Sequence, residues 1–247
     1  MKKITFYVLI FISSNALALD LITKSIPASF RSDTKDIHSE YLVVYPEKKA
    51  AKPPLLIFLH GAGERGEDIE ILKKWGGPSP ARFYRRSGDS PFLILSPQCK
   101  KERRWNIDNL NAWFEHILLT ESFDLDRVYI TGLSMGGHGT FKWVAENPEI
   151  FAAAAPVCGA WAWDGSKPSN KQLENLASIP FWIFHGDEDK VVPSIASKNI
   201  SKWIDEENDN KTILKIYKNL GHSIWNETYV ENGRLYKWLL SKTKINK

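Results

Sequence analysis

Gly132-Leu133-Ser134-Met135-Gly136 sets a serine hydroxyl between glycines two places before and two places after it. The apolar Val128-Tyr129-Ile130 comes directly before the run, and a helical pattern opens after it. A strand-to-helix turn this sharp leaves no room for side chains beside its central residue. The small neighbours relieve that crowding, and the turn lifts the serine Oγ away from the sheet. The helix N-terminus also favours negative charge developing nearby. Gly-x-Ser-x-Gly recurs by chance, and a serine that merely caps a structural turn is the plainer alternative. The position between strand and helix argues for nucleophilic chemistry instead.

A serine hydroxyl is a poor nucleophile near neutral pH and needs a base, itself oriented by a carboxylate. In chains with this kind of turn the acid follows the serine, and the histidine follows the acid. Three histidines lie downstream: His138, His185 and His222. His138 stands one helical turn beyond Ser134 and points away from the tip. His185 closes a strand in His185-Gly186-Asp187-Glu188-Asp189, and its position before a glycine suits local loop bonding. His222, in Leu220-Gly221-His222-Ser223, sits on a loop between the last strand and the last helix, and is the expected base. Asp187 and Asp189 are both candidates for the acid. Reaching across to His222 takes a few residues of loop, which favours Asp189 and leaves Asp187 to brace the turn.

An oxyanion formed at Ser134 needs backbone N–H donors. Met135, the residue after the serine, is one. Ala62 is the expected second, from His60-Gly61-Ala62-Gly63, whose small residues let backbone approach a substrate carbonyl. His60, like His185, reads as a loop-shaping residue. These readings require particular elements around them. Apolar strand candidates recur at Leu55–Leu59, Phe92–Ser96, Arg127–Thr131, Phe151–Val157, Phe181–Phe184 and Thr212–Tyr217, with an earlier one at Glu40–Tyr45 and room for another before it. Helical spacing runs through Leu110–Leu119, Met135–Ala145, Ser194–Trp203 and Thr228–Leu240. Alternating strand and helix gives an α/β fold with a mostly parallel sheet and right-handed crossovers. Ligands bind such sheets at the carboxyl ends of the strands, which is where the chemistry-bearing residues fall.

The 247 residues suit one such domain. With 43% hydrophobic and 12% aromatic residues the chain has material for a large core, so wholesale disorder is excluded. Lys2 and Lys3, the apolar Ile4–Ile12 and Ala16-Leu17-Ala18 have the layout of an export signal, with residues 1–18 removed and a single domain over 19–247. A membrane anchor is the other reading, but the apolar run is far short of the roughly 20 residues a bilayer needs. Removing Lys2 and Lys3 lowers Lys+Arg from 33 to 31 against 29 Asp+Glu, so the net charge falls from +4 to +2. That near-neutral balance gives no case for nucleic-acid binding. The basic run Lys100-Lys101 with Arg103-Arg104 reads as a solvated loop. Cys99 and Cys158 lack the number and spacing of a zinc site, and no metal is expected.

Together, Leu59-His60-Gly61-Ala62-Gly63-Glu64-Arg65-Gly66, Ser96-Pro97-Gln98-Cys99, Thr131–Gly137 and His185–Asp189 resemble the exported esterases of the α/β-hydrolase superfamily. These are carboxylesterase/phospholipase-like or dienelactone-hydrolase-like proteins, related to prolyl-oligopeptidase catalytic domains. The resemblance spans essentially all of residues 19–247 and implies a sheet of about eight strands, without a large cap domain. It implies a triad of Ser134, Asp189 and His222, Asp189 standing three residues after Gly186 with Val192-Pro193 soon after. Gly221-His222-Ser223-Ile224-Trp225 is similar to the family's histidine followed closely by tryptophan, but Ser223 replaces the acid often found there. In the family's strand order two strands separate those bearing the cysteines. Three spacings of about 4.8 Å make roughly 14 Å, beyond the ~7 Å Cα limit of a disulfide, so free thiols are expected.

The implied reaction is ester hydrolysis through an acyl-enzyme, without cofactor, on a small or polymeric ester. A serine peptidase and a non-catalytic carbohydrate- or lipid-binding protein are the alternatives; the first uses the same triad, and the second has no need of one. Gly159–Ile179 and Gly76–Ser90 are the only stretches long enough to cover a cleft, so the cleft is expected to be open. Trp161, Trp163 and Trp225 are candidates for an aromatic wall there, or for ordinary packing among ten tryptophans.

Overall fold

Every residue of Pro54–Leu59 is buried, as a strand covered on both faces requires. The computed structural model describes residues 20–48, 50–74, 78–87, 90–207, 212–230 and 233–244, and the expected export signal lies outside them. Along the chain run β1 (Ile22–Ser25), β2 (Ile37–Val44), β3 (Pro54–Leu59), α1 (Glu70–Lys73), α2 (Ser79–Ser87), β4 (Leu93–Cys99), α3 (Ile107–Thr120) and β5 (Asp124–Leu133). Then follow α4 (Met135–Glu146), β6 (Ala153–Val157), α5 (Asn170–Ala177), β7 (Phe181–Gly186), α6 (Ile195–Glu207), β8 (Thr212–Tyr217), α7 (Trp225–Tyr229) and α8 (Arg234–Leu240). The strands form one sheet in the order β1-β2-β4-β3-β5-β6-β7-β8. Only β2 runs against its neighbours; from β4 to β8 all pairing is parallel.

Alternate side chains of the central strands feed two cores, one on each face. Leu55, Ile57 and Leu59 of β3 join a cluster with Trp113 of α3 and Phe141 and Trp143 of α4. Leu56 and Phe58 face the other way, onto Tyr229 of α7 and Leu235, Tyr236 and Leu239 of α8. Fully burying one such side chain stabilises the fold by about 1.5–3 kcal/mol. The expected parallel sheet is present, and both cysteines are free. β3 and β5 lie between β4, which ends at Cys99, and β6, which Cys158 follows, and this keeps the thiols apart.

Two expectations change in detail. The helical pattern of Thr228–Leu240 divides into α7, which ends at Tyr229, and α8, which begins at Arg234. Gly233 caps α8 so close to Phe83 that a Cβ would meet its ring at 2.9 Å. The stretches read as loops also hold helices. α2 (Ser79–Ser87) lies within Gly76–Ser90, and α5 within Gly159–Ile179 is capped by Ser169, whose Oγ accepts the Gln172 N–H while the Gln172 side chain accepts the Ser169 N–H. That Ser-x-x-Gln capping box was readable in the sequence.

Candidate active site

Three loops at the carboxyl ends of β3, β5 and β7 converge with the loop after β8, and backbone packed against backbone holds them there. At the β5–α4 turn Ser134 has φ +52° and ψ −113°, a strained conformation for a residue with a side chain. Glycine is required beside it. A Cβ on Gly136 would lie 1.9 Å from the Leu59 carbonyl oxygen, and one on Gly132 would lie 2.5 Å from the Gly136 carbonyl oxygen. The Ser134 N–H donates to the Val157 carbonyl at 2.9 Å, anchoring the turn to β6.

His222 Nε2 lies 2.9 Å from Ser134 Oγ, and its Nδ1 lies 2.7 Å from Asp189 Oδ2. An ionised carboxylate only accepts, so Nδ1 carries the hydrogen and Nε2 is free to accept the serine's proton. Asp189 is buried, and its Oδ1 accepts the Val191 and Val192 N–H groups at 2.8 and 2.9 Å. Burial pushes the Asp189 carboxyl up, but the hydrogen bonds from His222, Val192 and Val191 outweigh it and leave the group below its ordinary value. Gly186 lets the two loops close together, since a Cβ there would be 2.3 Å from the Leu220 and Gly221 carbonyl oxygens. Asp187 is exposed and braces the turn through its backbone, donating its N–H to Tyr217 O at 3.0 Å, not through its carboxylate.

Burial lowers the pKa of three further histidines, His60, His138 and His185. His60 Nε2 accepts the Cys99 N–H at 2.9 Å, so its hydrogen is on Nδ1, which donates to Gly61 O at 2.7 Å. Burial pushes its pKa down to about 4. This ring ties the β3 loop to the end of β4. His138 Nδ1 lies 2.8 Å from Ala160 O, and burial lowers its pKa too. His185 does more than shape its loop. Its Nε2 is 2.8 Å from Val192 O and 3.1 Å from Asp189 Oδ2, and its Nδ1 is 2.7 Å from Ser197 Oγ. Two acceptors face Nε2, so it holds the hydrogen. Burial lowers its pKa despite the Val192 carbonyl and Asp189, and the ring is a neutral donor on the same carboxylate oxygen that His222 uses.

A cleft of about 640 Å³ opens over Ser134 and His222. Ala62 lines it beside Gly61 and Gly63. The Ala62 and Met135 N–H groups have no acceptor among the described residues, which leaves both available to an oxyanion. Of the three tryptophans, Trp225 lines the cleft and the other two do not. Trp161 is buried in the core beneath the Lys142 ammonium, which sits 3.3 Å from its ring centre. Trp163 is 48% exposed and packs on His138 and Arg104. Residue type alone does not say which way a ring faces. Ser79 and Arg82 of α2 and Glu64 also line the cleft, and none was singled out from the sequence. Glu64 Oε2 accepts the Gly61 N–H at 3.1 Å, a pairing that the four-residue spacing of a tight turn could have suggested.

This sheet order, with its serine turn and its helices on both faces, defines an α/β hydrolase. The chain also matches the phospholipase/carboxylesterase family over residues 98–231, more than half its length. It belongs to that family. A solved thermostable esterase is 28% identical, with a TM-score of 0.73 over 92% of this chain and 63% of that one. Poly(3-hydroxyalkanoate) depolymerase C of Paucimonas lemoignei is 27% identical over 122 residues, which are 46% of this chain and 30% of the depolymerase. A bifunctional acetylxylan esterase/xylanase of Neocallimastix patriciarum is 25% identical over 162 residues, 64% of this chain and 22% of that enzyme. The chain thus spans less than a third of either curated relative. No helix among the described residues is long and apolar enough to cross a membrane.

Proposed function

We propose that this protein is a serine carboxylesterase. The observation that carries the reading is the unbroken chain of hydrogen bonds from Ser134 Oγ through His222 to a buried, ionised Asp189. His222 Nε2 takes the Ser134 proton as Oγ attacks the ester carbonyl. The Ala62 and Met135 N–H groups hold the oxyanion, and His222 then returns the proton to the leaving alcohol. Water repeats the cycle on the acyl-enzyme. Asp189 stays ionised throughout and stabilises the imidazolium.

Membership of the phospholipase/carboxylesterase family and the esterases among its relatives support ester over amide substrates. The cleft has room for an acyl or aryl group beside Trp225. We further propose that residues 1–18 direct export and are removed, leaving a single catalytic domain over 19–247. The test is hydrolysis of 4-nitrophenyl esters from acetate to long chains by the protein and by Ser134→Ala, with matched anilides alongside. Turnover of the esters, lost in the variant and far slower on the anilides, is expected. Equal turnover by the variant would sink the serine mechanism, and a preference for the anilides would make the protein a peptidase.

A further inference from the structure

Among the described residues the cleft wall carries one guanidinium, and no hydrogen bond or close ion pair holds it. Arg82, on α2, lines the same cavity as Ser134 and His222 and is partly buried there. Among the described residues its side chain makes no hydrogen bond and no ion pair. Glu64, the only carboxylate among the described residues of the cavity wall, is engaged by the Gly61 N–H and lies beyond ion-pair distance of Arg82; burial raises its carboxyl, and the Gly61 N–H and the more distant Arg82 charge only partly offset that. Near it on the wall are Ser79, from the same helix, and Asn226 of α7, both able to hydrogen-bond a substrate. Leu133, Val191 and Trp225 supply the apolar part of the wall. Arg82 therefore presents to the open cleft a guanidinium whose donors no side chain among the described residues takes up, and which a ligand can complete. Its planar fork matches a carboxylate bidentately.

We infer that Arg82 anchors a carboxylate on the substrate, so that the favoured esters carry a negative charge away from the scissile bond. This inference rests on the esterase reading and names its substrate class: half-esters of dicarboxylic acids, or esters of hydroxy-acids and acidic sugars. Such a contact discriminates the charged ester from its neutral counterpart by about tenfold, the low end for a hydrogen bond to a charged group. Exposure to solvent makes the preference salt-sensitive.

The experiment uses two matched pairs. 4-Nitrophenyl hydrogen adipate against 4-nitrophenyl methyl adipate puts the charge on the acyl side. 3-Acetoxybenzoate against its methyl ester puts it on the alcohol side. Each kcat/KM is divided by the same ester's alkaline hydrolysis rate, which removes intrinsic reactivity. The wild-type ratio of charged to neutral ester is expected at about ten in one pair, falling toward one in 0.5 M salt. It should fall to one or below in Arg82→Gln, and Arg82→Lys should recover part of it. Wild-type ratios at or below one in both pairs would overturn the inference, with no variant needed. So would a ratio that Arg82→Gln leaves unchanged, which would mean that Arg82 serves neutral hydroxyls or the fold. Failure of the neutral esters to turn over through Ser134 is a separate result, and it removes the esterase reading itself.

Discussion

Acidifying the solution from pH 7.5 to 4.5 should cost this fold much of its stability, and His60 sets a calculable part of the loss. Its ring is fully buried, and both nitrogens are committed to backbone, Nδ1–H to Gly61 O and Nε2 to the Cys99 N–H. A second proton has nowhere to go without breaking the Cys99 bond. Burial accordingly lowers the pKa from 6.5 to about 4. As pH falls through 6.5 the unfolded chain takes up a proton that the folded chain refuses. The stabilisation is therefore complete above 6.5, declines between 6.5 and about 4, and declines no further below that. Over that drop to pH 4.5 the loss from this ring is about 2–3 kcal/mol.

His138 and His185 are lowered in the same direction, so the total acid loss exceeds the His60 share. His60→Gln isolates that share, because its amide oxygen can still accept near Nε2 but cannot titrate. Reversible urea unfolding at half-unit pH steps gives the stability difference between wild type and variant. The gap should shrink by about 2–3 kcal/mol from pH 7.5 to 4.5. A gap constant across the range would mean that His60 takes up its second proton as readily in the folded protein as in the unfolded chain, and the assignment of its hydrogens would be wrong.

Asp189→Asn puts an amide NH₂ against two N–H donors whichever way it turns, since Val191 and Val192 face one oxygen and His222 and His185 the other. Ester turnover should fall about 10⁴-fold and the urea midpoint should drop; activity within tenfold of wild type would remove Asp189 from the triad. Gly136→Ala, whose Cβ would sit 1.9 Å from Leu59 O, should destabilise by about 3 kcal/mol or more, read as a large fall in thermal midpoint. Cys99 and Cys158 are buried, with thiol pKa values pushed up to about 12 by burial. Ellman's reagent without reductant should find two thiols in denaturant and almost none in the native protein.

The parts of the site that a sequence reveals are those held by backbone sterics. Gly132, Gly136 and Gly186 are glycine because carbonyl oxygens occupy the space of a Cβ, and such positions leave a spaced pattern. Ser134 and His222 could thus be named from order and spacing. Asp189 over Asp187 needed loop length as well, and burial separates them: one side chain is enclosed by four donors and the other is exposed. Arg82 had no such pattern. It reaches the cleft because α2 joins the core on the sheet face that α8 covers, through Ala81 and Tyr84, which meets Phe92 and Tyr236, and nothing in Gly76–Ser90 encodes that docking locally. Trp161 and Trp163 were candidates either for a wall beside Trp225 or for ordinary packing, and they pack away from the cleft, Trp161 under Lys142 and Trp163 on His138 and Arg104.

That division has a functional consequence. The proposed catalytic groups are fixed by main-chain contacts that tolerate no added atom: Gly136 on Leu59, Gly137 on Val157, Gly186 on Leu220. Substitution there moves the nucleophile or unfolds the turn, so these positions cannot tune which ester is chosen. The wall that carries Arg82 and Ser79 is instead held to the body by side-chain packing, which can be repacked at a cost of about 1–3 kcal/mol. Specificity in this fold can therefore change along α2 and in the Val191 and Trp225 rim while the hydrogen-bonded chain from Ser134 to Asp189 stays in place. In the proposed reading, the choice between charged and neutral esters falls to Arg82, a residue that this chemistry does not otherwise use.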